Sequence, residues 1–484
     1  MAVVCSMLEG DTSIMINPSV SFDVFQQLVL WLSKSMNSYR EGRHYLEKNT
    51  TLVAHETDKE LTRIISAHTQ DQLEMLEQMH QHLVLLRDAR NRGGNLEAMR
   101  DAYINIFGGW ILDIPSWLAK IEDDLLFLNK LRRPERTKYA RITLLQDAIN
   151  FAEQDERVEP EVLAELLNEL GTLLLQSPLP LSHKDHIQAI RQSIHCHSAA
   201  IKIYTIARYP LQYAKSQMLL GIAYHHYGVS GQPDAIERAI DCYQDTLQVY
   251  TQDQFPDQWI KLHTYLGNAF ALRRKDEKAA NIEHALSHHL GALYTLNDAP
   301  PSLSSATVNF HLADAYSIYK VGDRKQNVEA AIAHYKTAMQ TLSLKDFPYE
   351  WACIHVRLAA IFEHCNVPDK DERDMFLRCS IVCYEGALSV YGADSFLVER
   401  ADIQVRLAHA HLLRKEGERQ QHLGQALKCY LSAIEVFNEH AFPQEHDYIQ
   451  QMITWIKTQP HDMDPHLLPS FHAPFNSCIM IKSS

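Results

Sequence analysis

Glycine and proline are scarce in this chain, 17 and 18 among 484 residues. Both interrupt regular structure, so their rarity favours long helices joined by short turns over a loop-rich fold. Positive charge is also in deficit: 46 Lys and Arg stand against 60 Asp and Glu, a formal net charge of −14. That balance opposes attraction to phosphate backbones and to anionic membrane surfaces, so neither nucleic acid nor membrane is expected as a partner. No run approaches the roughly 18 consecutive apolar residues of a membrane span. Met1 to Val20 lack a basic stretch followed by an apolar core. The expected location is cytoplasmic.

The signatures of chemistry are missing as well. Nine cysteines, an odd number without clustering, do not form a disulfide framework, and reduced thiols are expected. Thiolate metal sites use tight pairs such as C-x-x-C, and there is none. Cys379 and Cys383 lie four apart with His364 and Cys365 upstream, and His284 and His288 have the spacing of two ligands on a helix. The first set lacks the tight pair, and the second carries neither a third ligand nor the HExxH arrangement. There is no P-loop, no GxGxxG after a strand and no GxSxG, and Asn91 to Asn95 reads as a turn. The expectation is no catalytic residue, no metal and no cofactor: not an enzyme.

What the chain does have is a period. Leu followed by a small residue recurs at Gly171, Gly221, Gly267, Ala313, Ala359 and Ala408, with intervals of 50, 46, 46, 46 and 49 residues. A second series, small-Ile/Leu-x-x-Tyr/His, places His197, Tyr243, His289, Tyr335, Tyr384 and Tyr430 at intervals of 46, 46, 46, 49 and 46. Apolar residues at helical spacing surround both series, as in Leu262, Leu266, Ala269 and Phe270, then Ile282, Leu286 and Leu293. Each unit is therefore a helical hairpin whose small residue lets the paired helices approach closely. Cys196, Cys242, Cys383 and Cys429 each precede the anchor of the second series, which makes them repeat-equivalent packing residues.

The order of these anchors is that of the tetratricopeptide repeat, whose period is about 34 residues. Here about six residues are added in each turn region. They are expected to be loops at Arg273 to Lys278 and Gly322 to Asn327 inside hairpins, and around Phe255-Pro256, Pro300-Pro301, Phe347-Pro348 and Phe442-Pro443 between them. The phrases Val249 to Trp259 and Phe347 to Ala352 resemble the long-period tetratricopeptide arrays of bacterial proteins, many of which end in a caspase-like CHAT peptidase domain. Leu85 to Gly93 resembles the helical leader before such arrays. The resemblance covers roughly residues 45 to 458 and implies a scaffold and sensor role. No chain is expected to remain after the last hairpin for a peptidase domain, so that activity is not carried over.

The fold expected is all-α: a tetratricopeptide-like α-solenoid, a superhelical stack of antiparallel helix pairs, with an N-terminal helical leader. Its parts are a flexible start at 1–20, a capping domain at 21–135, about six helix pairs at 136–459 and a disordered tail at 460–484. The leader reads as helices at Phe22 to Tyr45, Asp58 to Ser66, Thr69 to Arg90, Leu96 to Phe107 and Ile114 to Leu131, followed by an unpaired second helix at Thr137 to Gln154. A stack of repeats needs such a cap over its apolar end.

In the tetratricopeptide family the first helix of each hairpin lines a concave face. Counting from the small residue, that face takes Lys215, Met218, His225, Lys261, Thr264, Asn268, Phe310, Asp314, Glu363 and His409. This mixed lining suits a peptide or protein segment of unknown identity, with a carboxylate near Lys215, Lys261 and Asn268 and an apolar side chain near Met218 and Phe310. The expected function is a protein-interaction scaffold or adaptor. Two alternatives are a sensing subunit of a separately encoded caspase-like peptidase or signalling enzyme, and a ligand-sensing transcription regulator that reads DNA with the leader.

Overall fold

The computed structural model describes residues 22–67, 73–130, 134–176, 183–296, 301–364, 370–392, 396–414 and 418–458. The expected flexible start and the expected disordered tail both lie wholly outside these. Among the described residues there are twenty α-helices, two short 3-10 turns and no strand. Sequential antiparallel pairing of the helices makes the fold all-α and tetratricopeptide-like. The chain divides into two compact units, Met1–Arg274 and Lys275–Ser484.

Unit 1 opens with the leader: α1 (Phe22–Asn37), α2 (Tyr39–Lys48), α3 (His55–Ala67), α4 (Leu73–Asn91), α5 (Leu96–Phe107), α6 (Ser116–Lys130) and α7 (Pro134–Ala152). Periodicity alone read Phe22 to Tyr45 as one helix. The structure breaks it at Ser38, whose extended backbone (φ −158°, ψ 122°) and side chain, accepting from the Glu41 amide, start a second helix. Helix α7, expected to be unpaired, packs on α6 and on α8 (Pro160–Leu175). A single hydrophobic core runs from Leu28 and Trp31 in α1 through Tyr103 in α5 to Leu166 in α8 and Tyr204 after α9 (His183–Ile203). The leader thus buries its apolar faces together with the first repeat hairpin, α8–α9. The hairpin of α10 (Pro210–Val229) and α11 (Ala235–Thr246) follows, and α12 (Pro256–Leu272) ends the unit.

Unit 2 begins with α13 (Lys278–Thr295). Three hairpins follow: α14 (Leu303–Ile318) with α15 (Arg324–Met339), α16 (Pro348–His364) with α17 (Lys370–Val390), and α18 (Leu397–Leu413) with α19 (Arg419–Ile434). The last helix, α20 (Pro443–Thr458), buries Tyr448, Ile449, Met452, Ile453 and Ile456 against the preceding hairpin and turns Gln450, Gln451, Thr454 and Lys457 to solvent. A polar outer face of this kind closes a repeat stack.

The anchors of both series are buried. Tyr335, Tyr384 and Tyr430 are fully enclosed, as are Ala313, Ala359 and Ala408, and Gly267 is buried in α12. At two of the three glycine positions the reason for small size is direct. A Cβ on Gly171 would lie 2.7 Å from His197 Nε2, and one on Gly221 would lie 2.6 Å from Tyr243 Cε1.

Part of the added length went into helix instead of loop. Arg324 to Asn327 were expected in a turn; they form the first turn of α15, capped by Asp323, whose side chain accepts from the Lys325 amide at 2.8 Å.

Four of the turns between repeats share one device. Edge-to-face aromatic pairs five residues apart, Tyr204/Tyr209, Tyr250/Phe255, Tyr391/Phe396 and Phe437/Phe442, close them with centroids 5.3 to 5.7 Å apart. Tyr209 and Phe255 precede proline, which excludes the helical region and holds them at φ −131° and −137°. Phe396 precedes Leu397 instead and occupies the left-handed region at φ 64°.

Gly424 lies mid-helix on the exposed side of α19, with helical φ and open space where a Cβ would go. Gly424→Ala should therefore stabilise unit 2 by about 0.5–1 kcal/mol by reducing backbone freedom in the unfolded chain. A thermal melt checks this, and a lowered midpoint would mean that this face of α19 is covered.

Candidate functional site

In unit 2 the first helix of each hairpin is the more enclosed partner. α16 buries Ala352, Cys353, Ile354, Val356, Leu358 and Ala359, whereas α15, a second helix, buries only Ala331, Tyr335 and Ala338. What first helices leave open is a narrow line of half-buried side chains, and the residues expected to bind a partner fall on or beside it.

In unit 1, Lys215 on α10 is half-exposed and pairs with Glu165 on α8, Nζ to carboxylate 3.2 Å. Met218 and His225 on the same helix are half-buried. Lys261 on the neighbouring α12 is exposed and Asn268 is half-buried. Thr264 is buried, and its hydroxyl donates to the Ile260 carbonyl one turn back at 2.9 Å, so it takes no part in a surface.

In unit 2 the equivalent slots serve the fold. Phe310 is inside the core, edge-on to Tyr335 at 5.7 Å, and is no groove residue. Asp314 on α14 accepts a short hydrogen bond from the Tyr335 hydroxyl and meets Arg357 of the next first helix at 3.5 Å. Glu363 on α16 is buried and accepts from the Tyr384 hydroxyl at 2.9 Å, and burial pushes its carboxyl above the usual range. His409 on α18 contacts the Tyr448 hydroxyl of α20 at 2.6 Å, and burial depresses it to about 4, with Arg406 adding repulsion. The imidazole is therefore neutral at pH 7. Acid, tyrosine and histidine thus form internal cross-links, the anchor tyrosine of one hairpin bonding to the acid of its own first helix.

A denser polar cluster, unsignalled in the sequence, joins leader to array. Tyr209 Oη donates to Glu161 at 2.7 Å and lies 3.1 Å from Asp101. Arg208 donates to both oxygens of Asp101 at 3.0 and 3.1 Å, and Arg92 donates to the Arg208 carbonyl at 2.8 Å. The Asn105 side chain accepts from the Leu211 amide at 2.9 Å. These partners stand 48 to 116 residues apart in the chain, so no local motif marks them.

Nucleophilic chemistry has little support. Burial pushes Cys196, Cys383 and Cys429 up to about 11 and Cys242 and Cys353 up to about 12, so these thiols stay protonated at neutral pH. Among the described residues no three His, Cys, Asp or Glu side chains are placed to hold a metal ion, and Cys365 lies outside them. No helix among them is long and apolar enough to cross a membrane.

No protein-family model matches the chain, and no curated protein matches it by sequence. Among solved structures, the apo form of RapI aligns at 13% identity with a TM-score of 0.41, over 69% of this chain and 99% of that one. No side-chain role passes between the two chains at that distance.

Proposed function

We propose that this chain is a non-catalytic adaptor that binds a segment of another protein along the first-helix face of unit 1. The observation that carries this reading is the contrast between equivalent slots. In unit 2, Phe310, Asp314, Glu363 and His409 are committed to core or internal bonds. In unit 1, the adjacent α10 and α12 present exposed Lys261 and half-buried Met218 and Ile222. A cation next to apolar anchors on rigid helices suits a peptide held by a few contacts. The tandem hairpins support the reading by offering such side chains on a fixed scaffold, as does the sequence likeness to long-period tetratricopeptide arrays.

The test is crosslinking with mass spectrometry in native lysate. Crosslinks from Lys215 and Lys261 to a foreign chain are expected, and Lys261→Glu with Asn268→Ala should reduce the yield of those at the retained Lys215 about tenfold, as for a hot-spot loss. Both positions are off the core, so the melting temperature should hold. Undiminished crosslinks in a folded double variant would remove this face from consideration.

A further inference from the structure

The C-terminal turns of α10 carry a second, differently built surface. Tyr224 and Tyr227 are three residues apart and so lie on one side of the helix. Arg191, from α9, donates Nε–H to the Tyr227 hydroxyl at 3.0 Å and stands 5.7 Å over that ring. Arg238, from α11, reaches the Tyr224 hydroxyl at 3.4 Å and stands 5.5 Å over that ring. Two helices on either side of α10 thus each lay one guanidinium on a tyrosine of α10. Both arginines are exposed and both tyrosines half-buried.

What separates this pair from most arginines of the chain is the missing counter-charge. Arg87, Arg208, Arg273 and Arg414 are each spent on a carboxylate. Glu237, next to Arg238 in sequence, is taken by Arg273 at 2.7 and 2.9 Å. Among the described residues no carboxylate lies within ion-pair distance of Arg191 or Arg238. Contact with a ring and its hydroxyl holds a guanidinium without neutralising it, and the bond to the hydroxyl uses one of its five N–H donors. The remainder are preoriented for carboxylate oxygens, at a reduced entropy cost. Tyrosine and arginine are also the residue types that dominate binding energy at protein interfaces.

We infer that the tyrosine-mounted pair Arg191 and Arg238 is a docking surface for an acidic segment of a protein partner. The inference rests on the adaptor reading and adds a surface and a chemistry to it. The net charge of −14 repels anions at long range, so an acidic chain held at low salt is held by local positive charge.

Fluorescence anisotropy with a labelled octaglutamate peptide tests it on the full chain. The wild type should bind, and binding should weaken with salt. Arg191→Gln with Arg238→Gln should weaken it about tenfold or more. Tyr224→Phe with Tyr227→Phe should give a smaller loss, because the rings remain and only the orienting hydroxyls go. Equal binding by a double arginine variant of unchanged melting temperature overturns the inference, as does no binding to the wild type. Tighter arginine-dependent binding of single-stranded DNA or of phosphatidylserine vesicles overturns it too, by assigning the surface to another class of partner. If crosslinks at Lys261 persist while the peptide ignores both arginines, the adaptor reading stands and this surface alone falls.

Discussion

Gly109→Ala is expected to lower the melting temperature of unit 1 by several degrees and to speed amide exchange from α5 through α8. A Cβ at this position would lie 2.0 Å from the Glu161 carbonyl oxygen and 2.6 Å from the Val162 nitrogen. These are backbone atoms at the start of α8, and no rotamer change can clear them. The same loop is bonded in place: the Gly109 amide donates to the Tyr204 hydroxyl at 3.1 Å, and that hydroxyl donates to the Glu161 carbonyl at 2.9 Å. Displacing the loop strands those buried groups, so the expected cost is on the order of 3 kcal/mol. Next to it, Gly108 has φ +84° and is pressed against Glu165, which adds strain to any alternative path. Scanning calorimetry with hydrogen exchange measures the effect. A variant with wild-type melting and exchange would mean that the leader is not seated on α8 through this loop. Gly424→Ala, a glycine with open space around it, supplies the control of opposite sign.

Acidification should produce the second large effect. Burial holds His82, His197, His311, His409 and His411 down to about 4. Free histidine titrates near 6.5. The folded chain therefore keeps these rings neutral where the unfolded chain is already protonated. With more protons on the unfolded state, the stability they give is fully present above roughly pH 6.5 and is lost as pH falls toward 4. Each ring contributes on the order of 1–3 kcal/mol, with His411, in the last turn of α18, at the low end.

Glu169 and Glu363 work the other way, since burial raises both carboxyls and protonation favours their folded form. Asp58 and Asp374 join the loss only at lower pH. Burial tends to raise them, but Arg87 with Arg90, and Arg414 with Arg378, prevail and hold them below the usual range. Urea titrations at pH 7.5, 6, 5 and 4.5 should show midpoints falling steadily in both units, His82 and His197 acting in the first and the other three in the second. Midpoints that stay level across that series would mean that the rings are solvated.

The repeat was legible because it is a local matter repeated many times. The small residue at Gly221 or Ala359 and the aromatic at Tyr243 or Tyr384 are spaced by the length of one hairpin, so the chain prints its own period. The aromatic pairs that close the inter-repeat turns were equally local. Tyr250/Phe255 and Phe437/Phe442 stand before their prolines in plain view, yet they read as loop because composition alone does not show two rings meeting edge to face. The break at Ser38 was hidden for a related reason: apolar periodicity continues across it, and only the capping geometry separates α1 from α2.

The binding face was less legible than the fold. A consensus position assigns a side chain to a face, but its availability depends on what the next hairpin brings there. Asp314 is engaged because Tyr335 and Arg357 reach it, and Phe310 is enclosed because Tyr335 and the residues around Ile354 pack over it. Arg191 and Arg238 went unremarked because their significance lies in which ring each rests on and in the carboxylates that are absent.

Sequence by itself determined the class: hairpin length, the small and aromatic anchors and the sparse glycine and proline dictate paired helices, since these are short-range demands of helix propensity and close approach. Tertiary structure alone decided which polar groups are spent inside and which remain outward. That outcome depends on partners as far apart as Asp101 and Tyr209, and no one-dimensional pattern carries the distance between them.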